Sequence, residues 1–165
     1  MNSFSKLFEK FKMFCFIADS GKFEKIKKDR MGDVITYYLF TTLVFGLAWA
    51  LFIYGILSII AIPSVIIMDA VFVAVYYGLA KLLGGNGSLH DMARVYAYGS
   101  TPAKVFGWIP CIGIFAALTS IGNYIQGTMA LFKLSRIRAV AVVLLPIAVI
   151  LAILLLLMQL AYIYE

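Results

Sequence analysis

Two ionisable side chains stand inside apolar runs of this sequence, Asp69 in IPSVIIMDAVFVAV and Lys104 in TPAKVFGW, and Asn123 and Gln126 lie in a third run, TSIGNYIQG. A carboxylate and an ammonium in hydrocarbon cost a few kcal/mol each unless they are paired, hydrated or neutral, so such residues mark either a structural tie or a polar path. Asp69, Lys104, Asn123 and Gln126 are therefore the candidate intramembrane polar cluster. The single His90 stands beside Asp91 and Arg94 and reads as an interfacial residue. Cys15 and Cys111 fall on opposite sides of the membrane in the topology below, so no disulfide between them is expected, and no metal-ligand spacing is present. No phosphate-cradling loop occurs, since GGNGS lacks the lysine and hydroxyl that would complete one, and no serine or cysteine stands in a nucleophile elbow. The expectation is a protein without catalytic chemistry and without a cofactor.

The elements that must hold these residues are transmembrane helices. The chain has 165 residues, 64% hydrophobic and 13% charged, against about half apolar and a quarter charged for soluble domains. Eight acids and fourteen Lys and Arg cannot cover the surface of a soluble domain of this size. The fold class expected is an all-α membrane protein with five transmembrane helices and an N-terminal amphipathic interfacial helix. The net charge of +6 sits in short patches flanking apolar runs, which is juxtamembrane placement and argues against nucleic acid.

Residues 1–33 form a cytoplasmic amphipathic and basic arm. Phe4, Leu7, Phe8, Phe11, Phe14 and Cys15 recur at helical spacing with lysines opposite, a pattern that predicts a helix lying on the bilayer. Charges interrupt it too often for a cleavable signal. After a turn at Asp19 to Gly21, Lys22, Lys25, Lys27 and Lys28 are placed to attract anionic headgroups, by about 1 kcal/mol each.

Residues 34–165 form the membrane domain. Its spans are predicted at about 34–62, 64–83, 89–109, 112–132 and 139–162. Pro63 is expected to end the first, and the short AIPS turn to pack the second tightly against it as a hairpin. Glycines 84, 85 and 87 break the chain before a capping box of Ser88 and Asp91. Residues 101–133 are too many for one straight span and too few for two of about 20 residues each. The third span therefore has to include 89–100, kinked at YGSTP by Pro102, and to reverse at Pro110 and Gly113. Ser120, Asn123, Gly127 and Ala130 form a small and polar stripe on the fourth span that permits close helix contact. Tyr162 and Tyr164 mark the far interface of the fifth.

Five spans put every basic loop on one side, whereas four would strand Lys133 to Arg138 on the other. The positive-inside rule then places the N-terminus in the cytoplasm and the C-terminus outside. In this topology Asp69 and Lys104 lie at similar depth below the outer turns and can pair. Alternatively, the third span starts at Pro102 and Lys104 snorkels to the cytoplasmic interface.

AYGSTP at 97–102, with GGNGS before it, WIP at 108–110 after it and SRIRA at 135–139 opening the last span, resembles the Yip-domain family, the Ypt/Rab-interacting membrane proteins. The carrying positions are Gly84, Gly85, Tyr98, Gly99, Pro102, Pro110, Ser135 and Arg138, and DSGKFEKIKK in the arm is similar as well. The resemblance implies a five-span membrane protein. Eukaryotic members bind prenylated small GTPases and one another and are linked to budding and membrane shaping. This chain lacks their long N-terminal region with its Asp-Leu-Tyr-Gly-Pro type motif, and in its compact form it is similar to the prokaryotic branch, which implies a prokaryotic cell membrane.

Two functions follow as expectations. One is a membrane scaffold or organiser that binds the anionic cytoplasmic leaflet and forms homo- or hetero-oligomers with membrane proteins, with a small GTPase as the partner the resemblance implies. The other is a small transporter, channel or lipid carrier that uses the intramembrane polar site.

Overall fold

A computed structural model describes residues 3–50 and 62–164. Among the described residues every regular element is a helix. In chain order these are α1 (Ser3–Phe14), α2 (Ser20–Ile26), α3 (Met31–Trp49), α4 (Ile62–Leu82), α5 (Leu89–Gly99), α6 (Thr101–Phe106), α7 (Ile112–Phe132) and α8 (Arg136–Tyr164). Three of them, α3, α4 and α8, are long and apolar enough to cross a membrane by length and composition.

Local chemistry accounts for the ends of these helices. Asp19 caps α2 by accepting from the Lys22 amide at 2.9 Å. Ser88 and Asp91 form the reciprocal capping box expected at the start of α5. Gly84, at φ +87°, turns the chain out of α4 in the left-handed region that glycine enters without strain. Gly87 comes close enough to Phe132 that an added Cβ would lie 2.7 Å from its ring.

The break at YGSTP separates α5 from α6. Pro102 has no N–H for the Tyr98 carbonyl four residues back, and the Thr101 hydroxyl donates to that carbonyl instead, at 2.8 Å. With its proton so used, Thr101 Oγ1 accepts from the Tyr37 hydroxyl at 2.8 Å. The Ala103 amide, in the first turn of α6, donates across to Ser120 Oγ on α7 at 3.0 Å. The kink is thus held by side chains of α3, α6 and α7.

The α5–α6 unit is the centre of the packing, with α3, α4 and α7 around it, and α8 lies against α4 and α7. The arm joins the same core. Phe14, Ala18, Phe23 and Ile26 are buried together with Val34, Tyr37, Val95, Tyr98 and Phe132. Phe14 meets Phe23 edge-on with ring centres 5.0 Å apart and stacks on Tyr98 at 5.1 Å. Phe23 fits because the facing position on α7 is Gly127, where an added Cβ would lie 2.8 Å from its ring.

Pro63 lies in the first turn of α4, where its missing N–H costs nothing. Between the described parts of the first two spans the packing is slight. They touch at Gly46, whose added Cβ would lie 2.6 Å from Ile62, but α3 packs mainly on α5 and α6, and α4 on α5 and α8. The end of the first span, residues 51–61, lies outside the described residues, as do the side chains of Phe4 and Tyr164.

Candidate functional site: the intramembrane polar cluster

Asp69 and Lys104 meet. Lys104 Nζ lies 3.1 Å from Asp69 Oδ2, with both side chains largely buried, so Lys104 is part of the bundle interior and does not snorkel. The break at Ser100 bends the chain but lets α6 carry on from α5, and this places Lys104 deep. The pair is not isolated. Asp69 Oδ2 also accepts from the Tyr38 hydroxyl at 2.7 Å, and Oδ1 from the Tyr96 hydroxyl at 2.6 Å. Lys104 Nζ donates to Thr42 Oγ1 at 2.7 Å and sits over the Tyr38 ring, 3.6 Å from its centre. One carboxylate and one ammonium therefore tie together α3 (Tyr38, Thr42), α4 (Asp69), α5 (Tyr96) and α6 (Lys104).

Asn123 stands apart from this cluster. Fully buried on α7, it faces the linker between α1 and α2. Its Oδ1 accepts from the Ala18 amide at 2.7 Å, and its Nδ2 donates to the carbonyls of Phe14 and Phe16 at 3.4 and 3.3 Å. Gln126 is half-buried and joins neither group.

A third polar group locks the arm to α5. Asp29 Oδ2 accepts from Lys10 Nζ and from the Tyr98 hydroxyl, each at 2.7 Å. Arg94 bridges Asp91 Oδ1 at 3.0 Å and the Asp29 carbonyl at 2.9 Å. Of the basic arm residues, Lys25, Lys27 and Lys28 are exposed and Lys22 is half-buried. Phe8 is exposed and Phe11 partly covered. Among the remaining motif positions, Gly99 packs on Tyr124, Gly85 on Phe132 and Pro102 in the interior, while Pro110 is exposed in the turn before α7. Ser135 precedes α8, and Arg138 Nη1 donates to the Leu83 carbonyl at 3.3 Å, closing the Gly84 turn onto α8.

Beside the ion pair, α3 and α4 diverge from their contact at Gly46 and leave a cavity of about 430 Å³ over α5. Its lining is almost wholly apolar, including Val34, Ile66, Val73 and Ala93. Tyr38, Tyr96 and Asp69 stand on its wall, and Leu89 and His90 also line it.

Sequence reasoning missed Tyr38, Thr42 and Tyr96. Tyr38, near the start of the first span, reads as an interfacial aromatic, and Tyr96 falls one residue before the AYGSTP motif. The available signal was the spacing of Tyr38 and Thr42, four residues apart and so on one helix face within an apolar run.

No curated protein and no solved structure matches this chain. The Yip1 domain model matches residues 15–158, which takes in α2, the Asp69–Lys104 cluster, Asn123 and all the motif positions named above, and the chain accordingly belongs to the Yip1 domain family.

Proposed function

We propose that this Yip-type membrane protein is a five-span membrane organiser, with residues 1–33 as a cytoplasmic arm, residues 34–165 as the membrane domain and the C-terminus outside. The α5–α6 unit and α7 serve as the third and fourth spans. This topology puts Lys81, Lys133, Arg136 and Arg138 on the arm's side, as the positive-inside rule requires. The exposed Lys25, Lys27 and Lys28 face anionic headgroups of that leaflet, in a prokaryotic cell membrane. The lipid-facing surfaces of α3, α4 and α8 are where a second copy or another membrane protein would bind, and a small GTPase would meet the arm.

The observation that carries this reading is the saturation of the polar groups. Asp69 accepts from three donors and Asn123 makes three hydrogen bonds, so these side chains join elements to one another. A conduction path needs polar groups free to bind and release cargo. The reading is tested in liposomes carrying the full chain. Fluxes of ions and of labelled lipid are expected to stay at the level of protein-free vesicles, in wild type as in Asp69→Asn.

A lipid-carrier reading is favoured by one observation, the apolar cavity that ends on the ion pair. It requires lipid flux above the protein-free level in wild type and a fall in Asp69→Asn. That pair of results would replace the organiser reading.

A further inference from the structure

We propose that the α1–α2 unit is a re-entrant hairpin whose tip, residues 15–19, enters the hydrocarbon of the leaflet on the arm's side, with Phe16 and Ile17 in contact with acyl chains. The inference rests on the five-span topology proposed above and replaces a helix lying flat on the surface with an inserted tip.

Depth comes first. The tip is fastened to Asn123, which lies about 14 Å inside the α7 end at Phe132, at a rise of about 1.5 Å per residue. Ile17 lies over Gly122, where an added Cβ would be 3.8 Å from it. From there α2 runs back out, past Gly127 with Phe23 and as far as Lys133 with Glu24. In a hydrocarbon core about 30 Å thick, a tip about 14 Å in reaches toward the midplane.

Hydrogen bonding is the second observation. Non-helical backbone persists at membrane depth where protein satisfies its polar groups. Here the break between two helices is served by one buried amide, which takes the Ala18 N–H and the Phe14 and Phe16 carbonyls. Lys22 Nζ donates to the Met13 carbonyl at 3.4 Å, and Asp19 caps α2. The polar groups of the break are thus satisfied by protein, as membrane depth requires.

Exposure is the third. Phe16 is 75% exposed and Ile17 63% exposed, adjacent at the tip, while Phe14 and Ala18 beside them are fully buried. Lys12 stands on the α1 side of the tip, a cation on a long stem that reaches back to headgroups. The charge of Asp19 opposes insertion, so the tip's depth is a balance that can be measured.

The test uses the full chain with Trp49→Phe and Trp108→Phe, and Phe16→Trp as the one reporter, in phosphatidylcholine–phosphatidylglycerol vesicles. Quenching by lipids brominated near the chain end is expected to exceed quenching by lipids brominated near the headgroup, with a blue-shifted emission maximum and no quenching by aqueous iodide. Stronger quenching by the shallow label, or by iodide, would overturn the insertion and leave the organiser reading standing. Transport in the flux experiment, with deep quenching here, would remove the organiser reading and leave the tip. Adding Asn123→Ala is expected to move the reporter toward the shallow label and to admit iodide. A reporter that stays deep in that variant would refute Asn123 as its anchor.

Discussion

Replacing Lys104 by Met is expected to destabilise the protein by about 3–5 kcal/mol, the usual cost of removing one partner from a buried ion pair. Asp69 would keep its bonds to Tyr38 and Tyr96, but its carboxylate would sit in the bundle without the ammonium that lies 3.1 Å away. Asp69→Asn leaves Lys104 in the same position and carries a cost of similar size. The double variant removes both charges and is expected to be more stable than either single one, which requires a coupling energy above about 3 kcal/mol. Reversible unfolding in mixed micelles, followed by tryptophan fluorescence, measures all four proteins. Single variants within about 0.5 kcal/mol of wild type, as for an ordinary surface change, would show that the pair ties nothing.

The second large effect belongs to Asn123. Asn123→Ala strands the Ala18 amide and two carbonyls, and an unpaired buried group costs about 1–3 kcal/mol. The two carbonyl bonds are long, so the expected loss is between about 2 and 4 kcal/mol. It differs from the loss at Lys104 in kind, because it falls on the attachment of the arm. Limited proteolysis at Lys22 and Lys25 is expected to accelerate well before global unfolding in Asn123→Ala, and to stay at the wild-type rate in Lys104→Met. Equal protection of the arm in all three proteins would contradict the account.

Periodicity and punctuation made much of the helix plan legible. The bounds of α7 coincide with the expected fourth span, the capping box starts α5, and the YGSTP break falls where Pro102 removes a hydrogen bond. Asp69 was legible as a buried acid because carboxylates are rare in such runs. Its partner was ambiguous, since TPAKVF opens a new helix or continues a bent one with equal local propriety, and only packing against α7 decides. Asn123 illustrates the other limit. A polar stripe reports which face of a helix is turned inward, but not which element lies opposite, and here the arm, not the ion pair, faces it. Where α3 and α4 are described they pack less on each other than on α5, since proximity along the chain brings two helix ends together and leaves the rest of their contact to what lies between them.

Every depth in this account is counted from the basic helix ends, so the topology is its foundation. In a background without Cys15 and Cys111, single cysteines at positions 2 and 165 can be challenged in intact cells with a membrane-impermeant thiol reagent. The account predicts labelling at 165 and protection at 2 until the cells are opened. Labelling of both positions, or of neither, in intact cells would put the termini on one side and contradict the five-span arrangement.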